Sequence, residues 1–363
     1  MDEIDRVVVI APKTEVVDQW AADFKLVTGR YMSRVTGADG DIGAMGLDVC
    51  CTWQAVQGLG PELQAVCQAH RTAVITDEHH HGAVEAAWGR GADSAFAQSS
   101  FAIILTGTPI RSDGCESVWL AHDDAGVIDY PEAGTYTLSY GDAIDFGYCR
   151  PATFHQHEGR FTVDLKDGEQ IQVHGDSEVQ LPGTLNRVPG LQRALDFAAL
   201  VKRPSDYQRS MIEYASVKLD ELRLRMPEAG GLVIAPRIEM AEYMANLIEE
   251  LEGEAPTIVH HEVPNPGARI KAFRNTTKRW IVSVGMVSEG VDIPRLRALV
   301  YLPNALTELA FRQALGRVVR SNGHDDDTRA YVVMPNLRVF HNYARRVEQE
   351  IPPSCRRDNG EAK

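Results

Sequence analysis

The chain has 363 residues, of which 44% are hydrophobic and 24% charged, and this composition is typical of a globular protein with about two domains. Its formal net charge of −14 argues against holding nucleic acid through a broadly basic surface, but it leaves room for a local basic groove. No apolar run approaches the roughly 20 residues of a membrane span and the first residues are acidic, so we expect a cytoplasmic protein.

The first part of the chain alternates short apolar runs with stretches of helical spacing. The runs lie at 7–12, 73–78 and 101–109, and each ends in small, polar or acidic residues, as buried parallel strands do. After the first run, Thr14 is a candidate N-cap for a helix with apolar positions Val16, Val17, Trp20 and Phe24. The alternation predicts a parallel α/β domain over residues 1–150.

The same pattern restarts near Gly230. A helix is predicted from Glu239 to Leu251, closed by Gly253, and further apolar runs lie at 257–261, 280–286, 298–303 and 330–335. We therefore expect a second α/β domain over residues 228–350, followed by a polar tail at 351–363. The segment 151–227 is predicted to be an insertion and connector, with a small β-hairpin and a mostly helical stretch.

An acidic pair, Asp77 and Glu78, follows the apolar run at 73–76. Open parallel sheets bind ligands at the carboxyl ends of their strands, so two carboxylates there suggest metal–nucleotide chemistry. In that chemistry Asp77 holds Mg²⁺ through its water shell and Glu78 orients or deprotonates the attacking water. The alternative is an acidic loop with no chemical role, and this short motif alone does not decide between them.

Three consecutive histidines, His79 to His81, follow the acidic pair. Adjacent side chains do not readily converge on one ion, and the six cysteines are irregularly spaced, so zinc is the weaker interpretation. His80 occupies the fourth place of an Asp-Glu-x-His motif, where it can respond to the bound nucleotide. Thr106 and Thr108, at the end of the third apolar run, can bond the acidic loop and couple it to other segments.

Near the carboxyl end, a helix is predicted to begin at Thr307 and to carry Gln313, Arg317 and Arg320 on one face. Guanidinium groups on one face suit the charge of a transferring phosphoryl group, although ordinary exposed arginines give the same composition. Upstream of it, Gly290 and Asp292 lie in a glycine-containing segment that can approach a ribose or the partner domain.

Taken in chain order, these segments resemble the helicase motifs of superfamily 2. The matching segments are APKTEVVDQW (motif Ia), CTWQ (Ib), TDEHH (II), LTGTP (III), GGLVIAP (IV), SVGMVSEGVDIP (V) and FRQALGRVVR (VI). The wording of MVSEGVDIP and TGTPIRSD is most similar to the type III restriction subunits and related DNA helicases. The resemblance implies an α/β fold of two RecA-like parallel-sheet domains in tandem, with a small β-hairpin and helical connector between them.

The resemblance also implies a cofactor set and a mechanism. ATP and Mg²⁺ would be bound by Asp77 and Glu78 and completed by the glutamine and arginines of motif VI, with Asp292 coupling the two domains. Four residues match positions that touch the nucleic-acid backbone in the family: Pro12, Lys13, Thr52 and Gln54. Closure of the two domains on ATP would then move a nucleic-acid strand stepwise. DNA is favoured over RNA. A nuclease or methyltransferase subunit is a possible partner.

One family motif has no match. The phosphate-binding sequence G-x-x-x-x-G-K-[ST] stands one strand and one helix before motif Ia in the family, and it occurs nowhere in these 363 residues. We therefore expect an incomplete first sheet, an N-terminally truncated motor and impaired ATP hydrolysis. The alternatives are a module that binds nucleic acid or protein without ATP and a zinc hydrolase built on His79 and His81.

Overall fold

A computed structural model describes residues 4–37, 42, 48–79, 87–107, 119–120, 136–164, 170–174, 201–285, 293–321 and 326–356. The chain forms two compact units, Met1–Tyr136 and Thr137–Lys363. Each unit contains one parallel sheet with helices, so the expected tandem of α/β domains is confirmed.

The first unit has a five-stranded parallel sheet in the order β2-β3-β1-β4-β5. Its strands are β1 Arg6–Ala11, β2 Met32–Val35, β3 Asp48–Thr52, β4 Thr72–Thr76 and β5 Phe101–Ile104. Its helices are α1 Thr14–Thr28, α2 Trp53–Gly58, α3 Gly60–Ala69 and α4 Ala87–Phe96. Residues 8–11 of the central strand β1 are fully buried, which explains why the strand is apolar there.

Helix α1 begins one residue earlier than the sequence suggested. Its N-cap is Lys13, whose side chain makes no capping hydrogen bond, so Thr14 is the first helical residue rather than the cap. The helix buries Val16 and Val17 against the sheet and ends at Gly29, whose φ of 74° lies in the left-handed region. Glycine adopts that conformation without the steric cost of a Cβ.

The second unit has a six-stranded parallel sheet in the order β10-β11-β9-β12-β13-β6. Its strands are β6 Ala152–His157, β9 Gly230–Ile234, β10 Thr257–Val259, β11 Trp280–Ser283, β12 Leu296–Tyr301 and β13 Ala330–Pro335. Its helices are α5 Tyr140–Asp145, α6 Asp206–Arg223, α7 Ile238–Glu252, α8 Pro266–Arg274, α9 Glu308–Leu315 and α10 Arg338–Glu350, followed by a 3₁₀ turn at Pro353–Cys355.

The segment 151–227, expected as insertion and connector, contributes to the second sheet. Strand β6 pairs in parallel with β13 along its whole length, and α6 packs against β12 and β13. The expected hairpin is present as β7 Arg160–Asp164 and β8 Gln170–His174, which pair antiparallel. None of the described helices is long and apolar enough to cross a membrane.

Candidate functional site

The predicted motifs of the first unit meet at the carboxyl edge of its sheet. In the parallel register, Ala11 lies opposite Thr52, and Ile10 lies opposite Thr76. Pro12 and Asp77 follow these strand ends directly, and Lys13 comes one residue later. The acidic pair and the residues predicted to contact nucleic acid therefore emerge at the same edge of the sheet.

Asp77 is held by hydrogen bonds from three different elements. Its main-chain N–H donates to the carbonyl oxygen of Ile10 at 2.8 Å. Its Oδ2 accepts from the indole Nε1 of Trp20 at 2.8 Å, and its carbonyl oxygen accepts from Nε1 of Trp53 at 3.2 Å. Burial raises the pKa of the neighbouring Cys50 thiol to about 12, and the Asp77 carboxylate adds to that rise. The carboxylate is therefore fixed in position beside a neutral thiol.

The two tryptophans are functional candidates that the sequence did not single out. Trp20 was predicted only as an apolar position of α1, and Trp53 only as part of the CTWQ segment. A usable signal exists, because a buried indole N–H normally has a hydrogen-bond partner and Asp77 is the polar group nearby. The pairing itself depends on the tertiary fold, since Trp20 and Asp77 are 57 residues apart.

Glu78 has an unusual backbone conformation. Its φ is 50°, in the left-handed region that non-glycine residues rarely adopt. The next residue, His79, donates its main-chain N–H to the carbonyl oxygen of Leu105 at 3.1 Å, which ties the turn to the segment after β5. The chain therefore bends at the predicted water-positioning residue.

His79 is a core residue. It is 1% exposed, and its Nδ1 lies 3.0 Å from the hydroxyl of Thr76. Its ring contacts Trp53 edge-on at 5.8 Å and stacks on Trp119 at 5.9 Å, measured between centroids. An enclosed imidazole cannot reach an ion in solvent, which weighs against the zinc alternative. Within the described ranges no group of three or more possible ligand residues could hold a metal.

The remaining predicted contacts of the first unit differ in exposure. Thr52 is 6% exposed and its Oγ1 caps α2 by accepting from the N–H of Ala55 at 3.3 Å, so its hydroxyl serves the helix. Gln54 is exposed, and Pro12 and Lys13 are half-buried. The half-buried Thr106 follows β5, and four other predicted site residues lie outside the described residues: His80, Thr108, Gly290 and Asp292.

In the second unit, the prediction that one helix carries Gln313, Arg317 and Arg320 is wrong. Helix α9 is capped by Thr307 as predicted, but it ends at Leu315. Arg317 lies in a following turn, where its N–H donates three residues back to the carbonyl of Ala314 at 3.1 Å. Arg320 is extended and pairs antiparallel with Cys149. The glycine at 316 favours helix termination, which explains why the helical spacing does not continue.

Gln313 and the two arginines have different surroundings. Arg320 is exposed, whereas Arg317 is only 8% exposed. The side-chain Nε2 of Gln313 is buried and has no hydrogen-bond partner among the described residues. A buried donor without a partner is costly in a folded protein, and a ligand oxygen would relieve that cost.

A buried charge cluster fixes the backbone at Arg320. The Nε of Arg150 donates to the Arg320 carbonyl at 3.0 Å, and the Arg150 N–H donates to the carbonyl of Val319 at 2.7 Å. Arg150 and Arg297 share the carboxylate of Asp326, at 2.8 and 2.7 Å, and both guanidiniums are fully buried. Burial lowers the pKa of Arg297 to about 10, so this side chain stays charged at neutral pH. The cluster could not be predicted from residue patterns, because Arg150 lies far from Arg297 and Asp326 in the chain.

Several solved structures align with nearly the whole chain. An HsdR subunit fragment of a type I restriction enzyme from Vibrio vulnificus aligns with a TM-score of 0.58 and 15% identity, covering 94% of this chain and 55% of the other. The type ISP restriction-modification enzyme LlaBIII bound to DNA aligns at 0.55 and 16%, covering 91% and 24%. Saccharomyces cerevisiae Dbp5 bound to RNA and ADP BeF₃ aligns at 0.52 and 10%, covering 96% and 76%. The chain therefore has the fold of two parallel-sheet α/β domains that resemble the tandem RecA-like domains of helicases.

One family model matches the first part of the chain. The family model described as type III restriction enzyme, res subunit, matches residues 1–111. Together with the shared fold, this match supports a relationship to the type III restriction subunit branch of superfamily 2 helicases.

Three relatives match a larger part of the chain. Uncharacterized proteins of Mycobacterium leprae and Mycobacterium tuberculosis are 35% and 34% identical over 274 and 273 residues. A protein of Sulfolobus islandicus filamentous virus whose name describes a helicase is 23% identical over 279 residues. The matches cover 74% of this chain for the two mycobacterial relatives and 77% for the viral one, and 44% of each relative. This chain therefore corresponds to less than half the length of these proteins.

Proposed function

We propose that this polypeptide is part of an ATP-dependent helicase or translocase that acts on DNA. The observation that carries the proposal is the placement of Asp77 and Glu78 at the carboxyl edge of the first sheet, beside Lys13 and the start of α2. A fixed carboxylate at that edge suits Mg²⁺–nucleotide binding, and the adjacent strand ends suit contacts with a nucleic-acid backbone.

The proposal gives each member of the site a role. Asp77 would help to hold Mg²⁺, and Glu78 would position the attacking water. Gln313, Arg317 and Arg320 bond the phosphates, and the buried Nε2 of Gln313 suits this role because it has no partner within the described residues. Bound Mg²⁺ would neutralise charge on the phosphate oxygens.

The family resemblance supplies the remaining roles. His80, Gly290 and Asp292 are assigned to the nucleotide, and Thr106 and Thr108 to coupling between the acidic loop and the strand contacts. Support for Thr106 comes from its neighbour Leu105, whose carbonyl accepts from the residue after Glu78 and whose N–H donates to the carbonyl of Thr76 at 2.8 Å. A shift in the acidic loop would therefore reach the segment that carries Thr106.

Hydrolysis also needs a phosphate-binding loop, which these 363 residues do not contain. We propose that the loop comes from polypeptide outside them and that this chain hydrolyses ATP weakly by itself. Strand β5 supports the proposal: it stands at the end of the strand order, and Phe101 and Ile103 are 54% and 47% exposed. An apolar edge strand of this kind favours pairing with a further strand.

DNA is proposed over RNA because the family model and two of the structural neighbours come from restriction enzymes, one of them bound to DNA. The RNA-bound neighbour has the same fold, so the fold alone does not distinguish a DNA substrate from an RNA substrate. By the same likeness, we propose action in the cytoplasm together with a nuclease or methyltransferase subunit.

The predicted contacts with the backbone of a DNA strand are tested by replacing Lys13 with alanine. We expect weaker binding to single-stranded DNA and a salt dependence whose slope is smaller by about 0.7, the value for one lost phosphate contact on a single strand. Lys25→Ala is the matched control, because Lys25 is an exposed lysine at the opposite end of the same helix. Fluorescence anisotropy over a salt series gives both quantities. Equal effects of the two substitutions would contradict the predicted contact.

A second candidate function is a module that binds nucleic acid without ATP. Adding Mg·ATP to the same titration distinguishes this module from the proposed motor. We expect the DNA affinity of a polypeptide carrying the phosphate-binding loop to change with Mg·ATP, and Glu78→Gln to bind ATP without turnover. An affinity that ignores Mg·ATP in every form of the protein would favour the binding module.

A further inference from the structure

Two tryptophans link Asp77 to the two segments predicted to contact a DNA strand, at Lys13 and at Thr52. These are called the strand-contact segments below. Trp20 belongs to α1, the helix that begins directly after Lys13, and it bonds the Asp77 carboxylate at 2.8 Å. Trp53 is the first residue of α2, directly after Thr52, and it bonds the Asp77 carbonyl at 3.2 Å. The predicted metal-binding residue is therefore tied to each of the two helices that follow the contact segments.

These bonds leave Asp77 little freedom to move alone. Its N–H is bonded to β1, and Trp53 is only 1% exposed, with its ring against His79. A shift of the Asp77 carboxylate must break the Trp20 bond or carry α1 with it. The bond from an indole N–H to a carboxylate is charge-assisted, so it weakens when a cation draws on the same carboxylate.

We propose that Trp20 is a positioning residue that transmits the state of the Asp77 carboxylate to the strand-contact segment at Lys13, while Trp53 holds the Asp77 main chain in place beside Thr52. The proposal rests on the proposed function, since it concerns the same acidic site and the same DNA contacts. Neither indole touches the reacting atoms; each acts through Asp77. A purely structural role for the indoles would change the stability of the fold and nothing else.

A double-substitution cycle on DNA affinity separates the two roles. Asp77→Ala and Trp20→Phe each remove the same hydrogen bond, from opposite ends. We expect each single variant to bind a fluorescein-labelled oligodeoxythymidine about fivefold more weakly than the parent chain, and the double variant to bind no more weakly than either single one. The titrations are done without nucleotide, so hydrolysis is not required.

Trp280→Phe is the matched control. Trp280 also donates its indole N–H to a carboxylate, that of Glu252 at 2.7 Å, but it lies in the second unit. We expect this variant to keep the DNA affinity of the parent chain. A second variant replaces Trp20 with benzothienylalanine, which keeps the bicyclic shape and substitutes sulfur for the N–H, so that loss of packing is excluded. Thermal unfolding of every variant is measured alongside.

The outcomes are distinct. Equal, non-additive losses in the Asp77 and Trp20 variants, including the sulfur analogue, support the transmission. Parent-like affinity in both Trp20 variants, or losses that multiply in the double variant, would overturn it while leaving the proposed function intact. If the parent chain itself does not bind DNA, the proposed function fails, and this inference fails with it.

Discussion

At the scale of single residues, Glu78 combines an expected chemical role with a backbone conformation that glutamate rarely adopts. Its φ of 50° costs free energy that a residue suited to the left-handed region would not lose. The turn is held by the bond from His79 N–H to the carbonyl of Leu105 and by the burial of the His79 ring. The surrounding packing thus maintains the strain at the residue proposed to position water.

Replacing Glu78 by asparagine tests this strain. Asparagine tolerates the left-handed conformation better than most residues, so we expect Glu78→Asn to raise the free energy of unfolding by about 0.5 kcal/mol relative to Glu78→Gln. Both variants carry an amide in place of the carboxylate, so the comparison isolates the backbone effect. Chemical denaturation of the two proteins measures it, and equal stabilities would argue against strain at this position.

Residue patterns predicted some site features and missed others. Asp77 and Glu78 were located from two carboxylates after an apolar run, because such a run predicts where a strand ends. The hydrogen bonds from Trp20 and Trp53 could not be predicted, since they depend on how α1 and α2 pack on the sheet. Local sequence specifies strand ends; contacts between distant side chains require the fold.

At the scale of elements, the strands were easier to predict than the end of α9. Buried parallel strands are continuous apolar runs, so β1, β4, β9 and β12 stand out in the sequence. The end of α9 was misjudged because the Q-x-x-G-R-x-x-R spacing also fits a helix, and glycine at 316 was not weighed as a terminator. The edge strand β6 was missed, since four of its six positions are polar.

The segment after α9 depends on the buried charge cluster of Arg150, Arg297 and Asp326. Asp326→Asn would leave two buried guanidiniums without a carboxylate, so we expect it to lower the free energy of unfolding by about 3 kcal/mol. Asp327→Asn is the matched control, because Asp327 is 77% exposed and its partner Arg225 equally so. For the control we expect a change within about 0.5 kcal/mol.

Denaturant unfolding measures both variants. A small effect of Asp326→Asn, equal to that of the control, would show that the cluster is not what holds the backbone at Arg320. A large effect would establish that the placement of this predicted phosphate contact depends on residues outside the helicase motifs.

At the scale of the whole molecule, the chain consists of two compact units, and each of them contains residues of the proposed site. The acidic pair belongs to the first unit, and Gln313 with the two arginines belongs to the second.

The net charge of −14 is compatible with DNA binding because basic side chains are gathered locally. Helix α8 and the residues after it expose four of them, Arg269, Lys271, Arg274 and Lys278. A local basic surface on an acidic protein restricts where a phosphate backbone can bind, and it makes binding sensitive to salt.

DNA-stimulated ATP hydrolysis is the measurement that tests the proposed motor most directly. It compares this chain with a polypeptide extended to include any encoded phosphate-binding loop, each also as Glu78→Gln. We expect hydrolysis in the extended polypeptide, abolished by Glu78→Gln, and little in the 363-residue chain. DNA-stimulated hydrolysis by the 363-residue chain that Glu78→Gln abolishes would contradict the need for the loop. No hydrolysis in either would contradict the motor itself and favour the binding module.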